Sequence, residues 1–160
     1  MTVGANSYGT AAGVAGYVRV YTNAGVFDAS TTPTLANVEA WINQISALVN
    51  AALASYRFAV PVTQADCVLM LTGVVEQYAA DLCYAAKSTG RFFSERSLNS
   101  RAGIMGQIRA ELYDWVKDNA QGMQNLGAVR NVAETGNDAV TIGTMTLDFQ
   151  RHYNDARTNS

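Results

Sequence analysis

The chain has 160 residues, 49% of them hydrophobic and 15% charged, with a formal net charge of −2. That length supports one domain with a modest core, and the charge balance excludes a general nucleic-acid binder, which needs a basic excess. A charged fraction well below the usual quarter or so suits a chain covered by neighbours in an assembly, or a surface built from Ala, Ser, Thr, Asn and Gln. Lys87 and Lys117 are the lysines among eleven basic residues, and the rest are Arg, the planar cation suited to interfaces.

Residues 1–9 are rich in Gly, Ser and Asn and read as a loose N-terminal arm. From Thr10 to Tyr21, Val14, Tyr17, Val18 and Tyr21 recur at helical spacing, weakened by Gly13 and Gly16. The expectation is a short helix, then a loop over 22–32. Thr32-Pro33 predicts the start of a long helix, a hydroxyl cap followed by Pro in the first turn. Its apolar stripe is Leu35, Val38, Trp41, Ile42, Ile45, Leu48, Val49, Ala52, Leu53 and Tyr56. Asn37, Glu39, Asn43, Gln44, Ser46 and Asn50 fill the other side. The helix is expected to stop near Arg57, before the extended AVPV stretch with Pro61.

A second long helix is expected from Thr63 to about Thr89-Gly90. Its stripe is read as Val68, Leu69, Leu71, Val74, Val75, Tyr78, Ala79, Leu82 and Ala86, with Gly73 suggesting tight packing. Cys67 and Cys83 fall inside it, roughly 24 Å apart along the axis, beyond disulfide reach. They read as two buried thiols in a reducing cytosol. Lys87 to Arg101 is a polar linker, and a third long helix follows from about Ser100 to Asn125. Its stripe is Ile104, Met105, Ile108, Leu112, Trp115, Val116 and Met123. After Leu126 the helical period ends. Ala139–Phe149 is rich in β-formers, and residues 126–160 read as an extended C-terminal arm with a short β segment. The fold class is therefore all-α: a small bundle over 10–125 of three long helices plus a short N-terminal one.

Residue groupings that carry chemistry are scarce. His152 is the lone histidine, and with two cysteines it gives no zinc spacing. KSTG, Lys87 to Gly90, has no preceding glycine loop, so it is not a phosphate cradle. Gly4, Gly9, Gly13 and Gly16 follow no strand, which argues against a dinucleotide site. Neither catalytic nor metal-binding residues are assigned, no cofactor is expected, and the chain is read as not an enzyme. Glu76 and Asp81 lie on the second long helix. Glu111, Asp114 and Asp118 share one face of the third at i, i+3 and i+7. That acidic face is either solvated or met by Arg91, Arg96 and Arg101 of a neighbouring subunit. Phe92-Phe93 in the linker are plugs beneath it or interface anchors. No run approaches the roughly 20 apolar residues of a membrane span. MTVGANSYGT lacks a signal peptide's charged start and apolar run, and a cytosolic protein is expected.

The order of a short helix, FDASTTPTLANVEAWINQISALVNAAL (Phe27–Leu53), F-x-VPV (Phe58–Val62) and the alanine-rich TGVVEQYAADLCYAA resembles the head–tail connector, or adaptor, proteins of tailed bacteriophages. The resemblance covers roughly Tyr8 to Asn125. It implies a structural virion protein that forms an oligomeric ring, commonly of twelve copies, beneath the portal protein. The ring would extend the DNA channel in the neck and dock the next neck or tail protein, with assembly in the host cytoplasm. DNA would pass through without sequence-specific binding. Carried onto this chain, the partner- or portal-binding arm has Val140, Ile142, Met145, Leu147, Phe149 and Tyr153 as apolar anchors. Inter-subunit candidates are Arg91, Phe92, Phe93, Arg96, Arg101, Glu111, Asp114 and Asp118. The alternative is a small helical DNA-associated or regulatory protein using the linker's Arg and Phe residues.

Overall fold

The computed structural model describes residues 2–87 and 103–131. These form four helices, α1 (Ala11–Tyr17), α2 (Leu35–Ser55), α3 (Ala65–Lys87) and α4 (Ile104–Asn125), with a 3-10 turn over Arg19–Tyr21 after α1. No strand occurs among the described residues, only isolated bridges, so the all-α class read from the helical periods holds. The chain divides between Arg130 and Asn131. The linker residues 88–102 and the β-rich stretch 139–149 lie outside the described residues.

Helix α2 is the centre. It packs against α3, α4 and α1, while α3 and α4 pack on α2 more closely than on each other. Val38, Ile42, Ile45, Val49 and Ala52 recur at steps of four and three and are 0–1% exposed, the spacing that keeps one seam turned to its neighbours. Ile108, Leu112, Val116 and Met123 of α4 are buried as the pattern predicted, while Ile104, Met105 and Trp115 pack at the rim. Trp41 likewise lies partly buried at the edge of the core.

The buried face of α3 differs from the expected one. Leu71, Val75, Ala79 and Leu82 are inside, but Leu69 is 72% exposed and Ala86 is also in the open. Cys67 and Cys83 take the inner row, free and fully buried. The helix is apolar on nearly all sides, so spacing alone admits more than one stripe. Gly73 is not a close approach: a side chain there would meet nothing within 4 Å.

Residues 2–9 are not loose. The polar side of α2 holds them down. Asn43 Oδ1 accepts from Gly4 N–H (2.8 Å) and from Ser7 Oγ (2.7 Å). Ser46, 1% exposed, accepts from Tyr8 N–H (3.0 Å). Tyr8 Oη donates to Asn50 Oδ1 (2.8 Å) and accepts from Val62 N–H (2.9 Å). Asn43, Ser46 and Asn50 thus form a ladder at i, i+3 and i+7 that ties down a third segment, and Tyr8 is 4% exposed. Burial raises the Tyr8 phenol above its ordinary pKa.

The start of α2 also lies two residues later than expected. Thr34, not Thr32, is the cap, its hydroxyl accepting from Asn37 N–H, and Pro33 precedes it. The preceding loop is specified by Asp28. Its carboxylate accepts from Ser30 N–H (2.7 Å), Ser30 Oγ (2.6 Å) and Thr31 N–H (3.0 Å). Those bonds, that from the Ser30 hydroxyl foremost, hold the Asp28 pKa below the ordinary carboxylate range.

Both α2 and α4 end in the same way. Arg57 (φ 65°) and Gly127 (φ 93°) adopt the left-handed conformation. Phe58 N–H bonds the Leu53 carbonyl, and Ala128 N–H bonds the Met123 carbonyl, the paired closure that satisfies last-turn carbonyls. The two exits then meet. Ala59 N–H donates to Val129 O (2.9 Å), and Phe58 bridges Arg130. Arg130 stacks its guanidinium 5.0 Å from the Phe58 ring centroid. Residues 126–130, read from sequence as the beginning of the arm, therefore belong to the body, with Ala128 in the core.

Helix α1 is fastened by a residue from α3. Thr10 caps α1 by accepting from Gly13 N–H (2.9 Å). Glu76 Oε1 accepts from Thr10 N–H (2.9 Å) and Thr10 Oγ1 (3.2 Å). In a capping box an acidic residue three positions after the cap makes that return bond. Here that position is Gly13, and a Cβ on it would collide with the Glu76 carboxylate.

Two outcomes are expected. Leu71→Ala and Leu112→Ala, both at fully buried positions, should each cost about 2–5 kcal/mol in urea unfolding. Gly13→Ala should destabilise by about 1 kcal/mol, because losing the Glu76 bonds outweighs the gain in helix propensity. In a Glu76→Ala background the same substitution should become stabilising, a sign reversal read from a double-mutant cycle.

Candidate functional site

The cleft between the end of α3 and the beginning of α4 has a volume of about 640 Å³. It exists because both helices lean on α2 rather than on each other. Turns of α3 bring Tyr78, Asp81 and Tyr84 to its edge at i, i+3 and i+6, and α4 supplies Gln107 and Glu111 over an apolar floor of Ile104 and Ile108. Tyr21 closes one side from the 3-10 turn, its ring 5.3 Å from that of Tyr84 and edge-on at 74°. The Lys87 ammonium sits 5.8 Å from the Tyr21 ring centroid.

Tyr78 Oη donates to Glu111 Oε2 at 3.1 Å, linking the two helices across the cleft. Burial pushes the Tyr78 phenol up to about 12, and the bond to Glu111 adds to the shift. Asp81 is raised above the ordinary carboxylate range, first by desolvation and then by the Glu111 charge. The cleft thus combines aromatic faces with two carboxylates from opposite walls. Such a surface favours cations over anions. Among the described residues no group of three His, Cys, Asp or Glu could hold a metal ion. No described helix is long and apolar enough to cross a membrane.

Of the carboxylates singled out from sequence, Asp81 and Glu111 lie on this cleft. Asp114 and Asp118 are exposed on the same helix as Glu111. Arg91, Phe92, Phe93, Arg96 and Arg101, and the arm residues Val140, Ile142, Met145, Leu147, Phe149 and Tyr153, lie outside the described residues. Sequence reasoning missed Tyr21 and Tyr84 as site residues and read Tyr78 as core. The available signal was a run of Tyr78, Asp81 and Tyr84 on the flank of a helix whose small residues face inward. Compared with family models, curated proteins and solved structures, the chain has no match.

Tyr78 and Cys83, whose buried thiol is also pushed up to about 12, keep their protons longer folded than unfolded. Stability should therefore fall as pH rises from about 9 to 12. Tyr78→Phe should make the decline between pH 10 and 12 shallower in thermal melts. Asp81 follows the same rule at lower pH: its raised pKa means that its charge is disfavoured in the fold, a cost present in full by neutrality. Asp81→Asn should leave the melting temperature at pH 7 unchanged or raise it.

Proposed function

We propose that the chain is a structural, non-enzymatic subunit of a tailed-phage neck, forming a ring between portal and tail around the DNA channel. The observation that carries this reading is the distribution of large apolar side chains left uncovered on a body of low charge. Val20 is 76% exposed, Val26 62%, Val129 61% and Leu126 44%. Val20 and Val26 flank the loop after α1, whereas Leu126 and Val129 lie where the chain leaves α4. Exposed apolar side chains at two separate places along the chain suit heterologous contacts, in which one surface meets a different surface of the next copy.

Other features agree with it. The segments that carry the connector resemblance are the N-cap loop with α2, the extended Phe58–Val62 stretch and α3, and together they make the centre of the bundle. Asp114 and Asp118 are exposed on α4, with Glu111 a turn away at the cleft, where a neighbour's arginines could meet them. A slightly acidic total keeps a channel wall from trapping phosphates.

Electron microscopy of particle necks is the test. Density for four helices per subunit, repeated around the axis between portal and tail, is the expected result, and a neck without such density removes the proposal. Deleting residues 139–160 should leave the helical circular dichroism intact and abolish incorporation into particles. Loss of helical signal on that deletion would mean that the arm is part of the core.

A further inference from the structure

We propose that residues 2–8 form a strap that opens and closes on α2 as a unit of its own, hinged at Gly9, while α1 stays in place. The strap and α1 are adjacent in the chain but are fastened to different elements. Asn43, Ser46 and Asn50 of α2 hold the strap through Gly4, Ser7 and Tyr8. Two further bonds follow the same pattern. Asn43 Nδ2 donates to Thr2 O (3.3 Å), and Asn50 Nδ2 donates to Asn6 O (3.2 Å). Helix α1 is held instead by Glu76 of α3 through Thr10, and it packs on α3 more than on α2. Between the two fastenings stands Gly9, in the left-handed conformation at φ 93°, where a residue without a side chain turns at least cost.

The balance of forces on the strap differs from that on the bundle. Tyr8 is its one buried side chain, Val3 packs at the rim of the core, and Thr2, Gly4, Ala5 and Asn6 are exposed. A segment held by exposed hydrogen bonds and little apolar area opens at a fraction of the cost of global unfolding. Closure is nevertheless the resting state. Lifting Tyr8 strips the buried Ser46 hydroxyl of its backbone partner and leaves Val62 N–H without its acceptor, and an unmade bond at a buried group is costly. Both losses arise from the same residue, so the strap leaves and returns as one piece. Val62 reports that motion from the far side of α2, because its amide is covered by the Tyr8 hydroxyl.

The test is hydrogen exchange of the full chain, followed amide by amide in two-dimensional NMR and corrected for intrinsic rates. In the unchanged chain, Tyr8 and Val62 should share one protection factor, well below that of Ile45 and Val49 in the middle of α2. Ser46→Ala should speed exchange at Val62 by roughly three- to tenfold, although it removes no partner of that amide, and should leave Val14 and Val18 of the α1 region as they were. Glu76→Ala should do the reverse, speeding Val14 and Val18 and leaving Val62 alone. Protection of Val62 equal to that of Ile45 and Val49 in the unchanged chain would overturn the proposal, since the strap would then open only when the whole bundle does. No change at Val62 in Ser46→Ala would overturn it too, as would Val62 and Val14 accelerating together in either variant.

Discussion

Everything described here leans on α2. A helix packed against three others must satisfy the polar groups it buries as well as bury its apolar face. Ser46 states the constraint most sharply. Its hydroxyl is almost fully buried, and its hydrogen-bonding capacity is met by the backbone of Tyr8. That bond fixes Tyr8, and Tyr8 in turn satisfies Val62 N–H just ahead of α3. One serine thereby couples the N-terminal segment, the central helix and the entry to the next. The apolar seam supplies most of the driving force for packing, and the polar ladder decides which segment may lie on the remaining face.

The same arrangement produces the cleft. Two helices seated on one central helix need not touch each other along their whole length. Where α3 and α4 diverge, side chains too polar for the core collect: tyrosines, which are apolar with one wet end, and carboxylates facing each other. The cost is visible in the raised pKa of Asp81. A packed interface made for stability alone would place a cation there or an alkyl group. Here two acids stand near aromatic rings instead, at the end of the bundle where the two helices part.

Much of the fold was legible in the sequence because long amphipathic helices announce themselves by period. The three long segments, the break at Arg57 and the buried core of α4 follow from the spacing of Val, Ile and Leu. The parts that were not legible share one cause, that tertiary partners cannot be seen from local pattern. Asn43, Ser46 and Asn50 look like a solvated face until residues 2–9 are placed on it. Thr32-Pro33 looks like a helix start because the bonds around Asp28, which shift the true cap to Thr34, are made within the loop. Leu69 looks like core because α3 is apolar on several sides and only its neighbours choose among them. Within the site, Glu111 was found as a surface acid, but its pairing with Tyr78 and Asp81 needed two helices brought together.

The shared cap between Thr10 and Glu76 has a consequence for how the chain can change over time. Position 13 lies against a carboxylate that reaches it from α3, so a change at either site is felt at the other. A lineage could enlarge residue 13 at no loss only after residue 76 had shortened, and could then place an acid at 13 to rebuild the cap locally. The order of such steps is constrained by space rather than by chemistry.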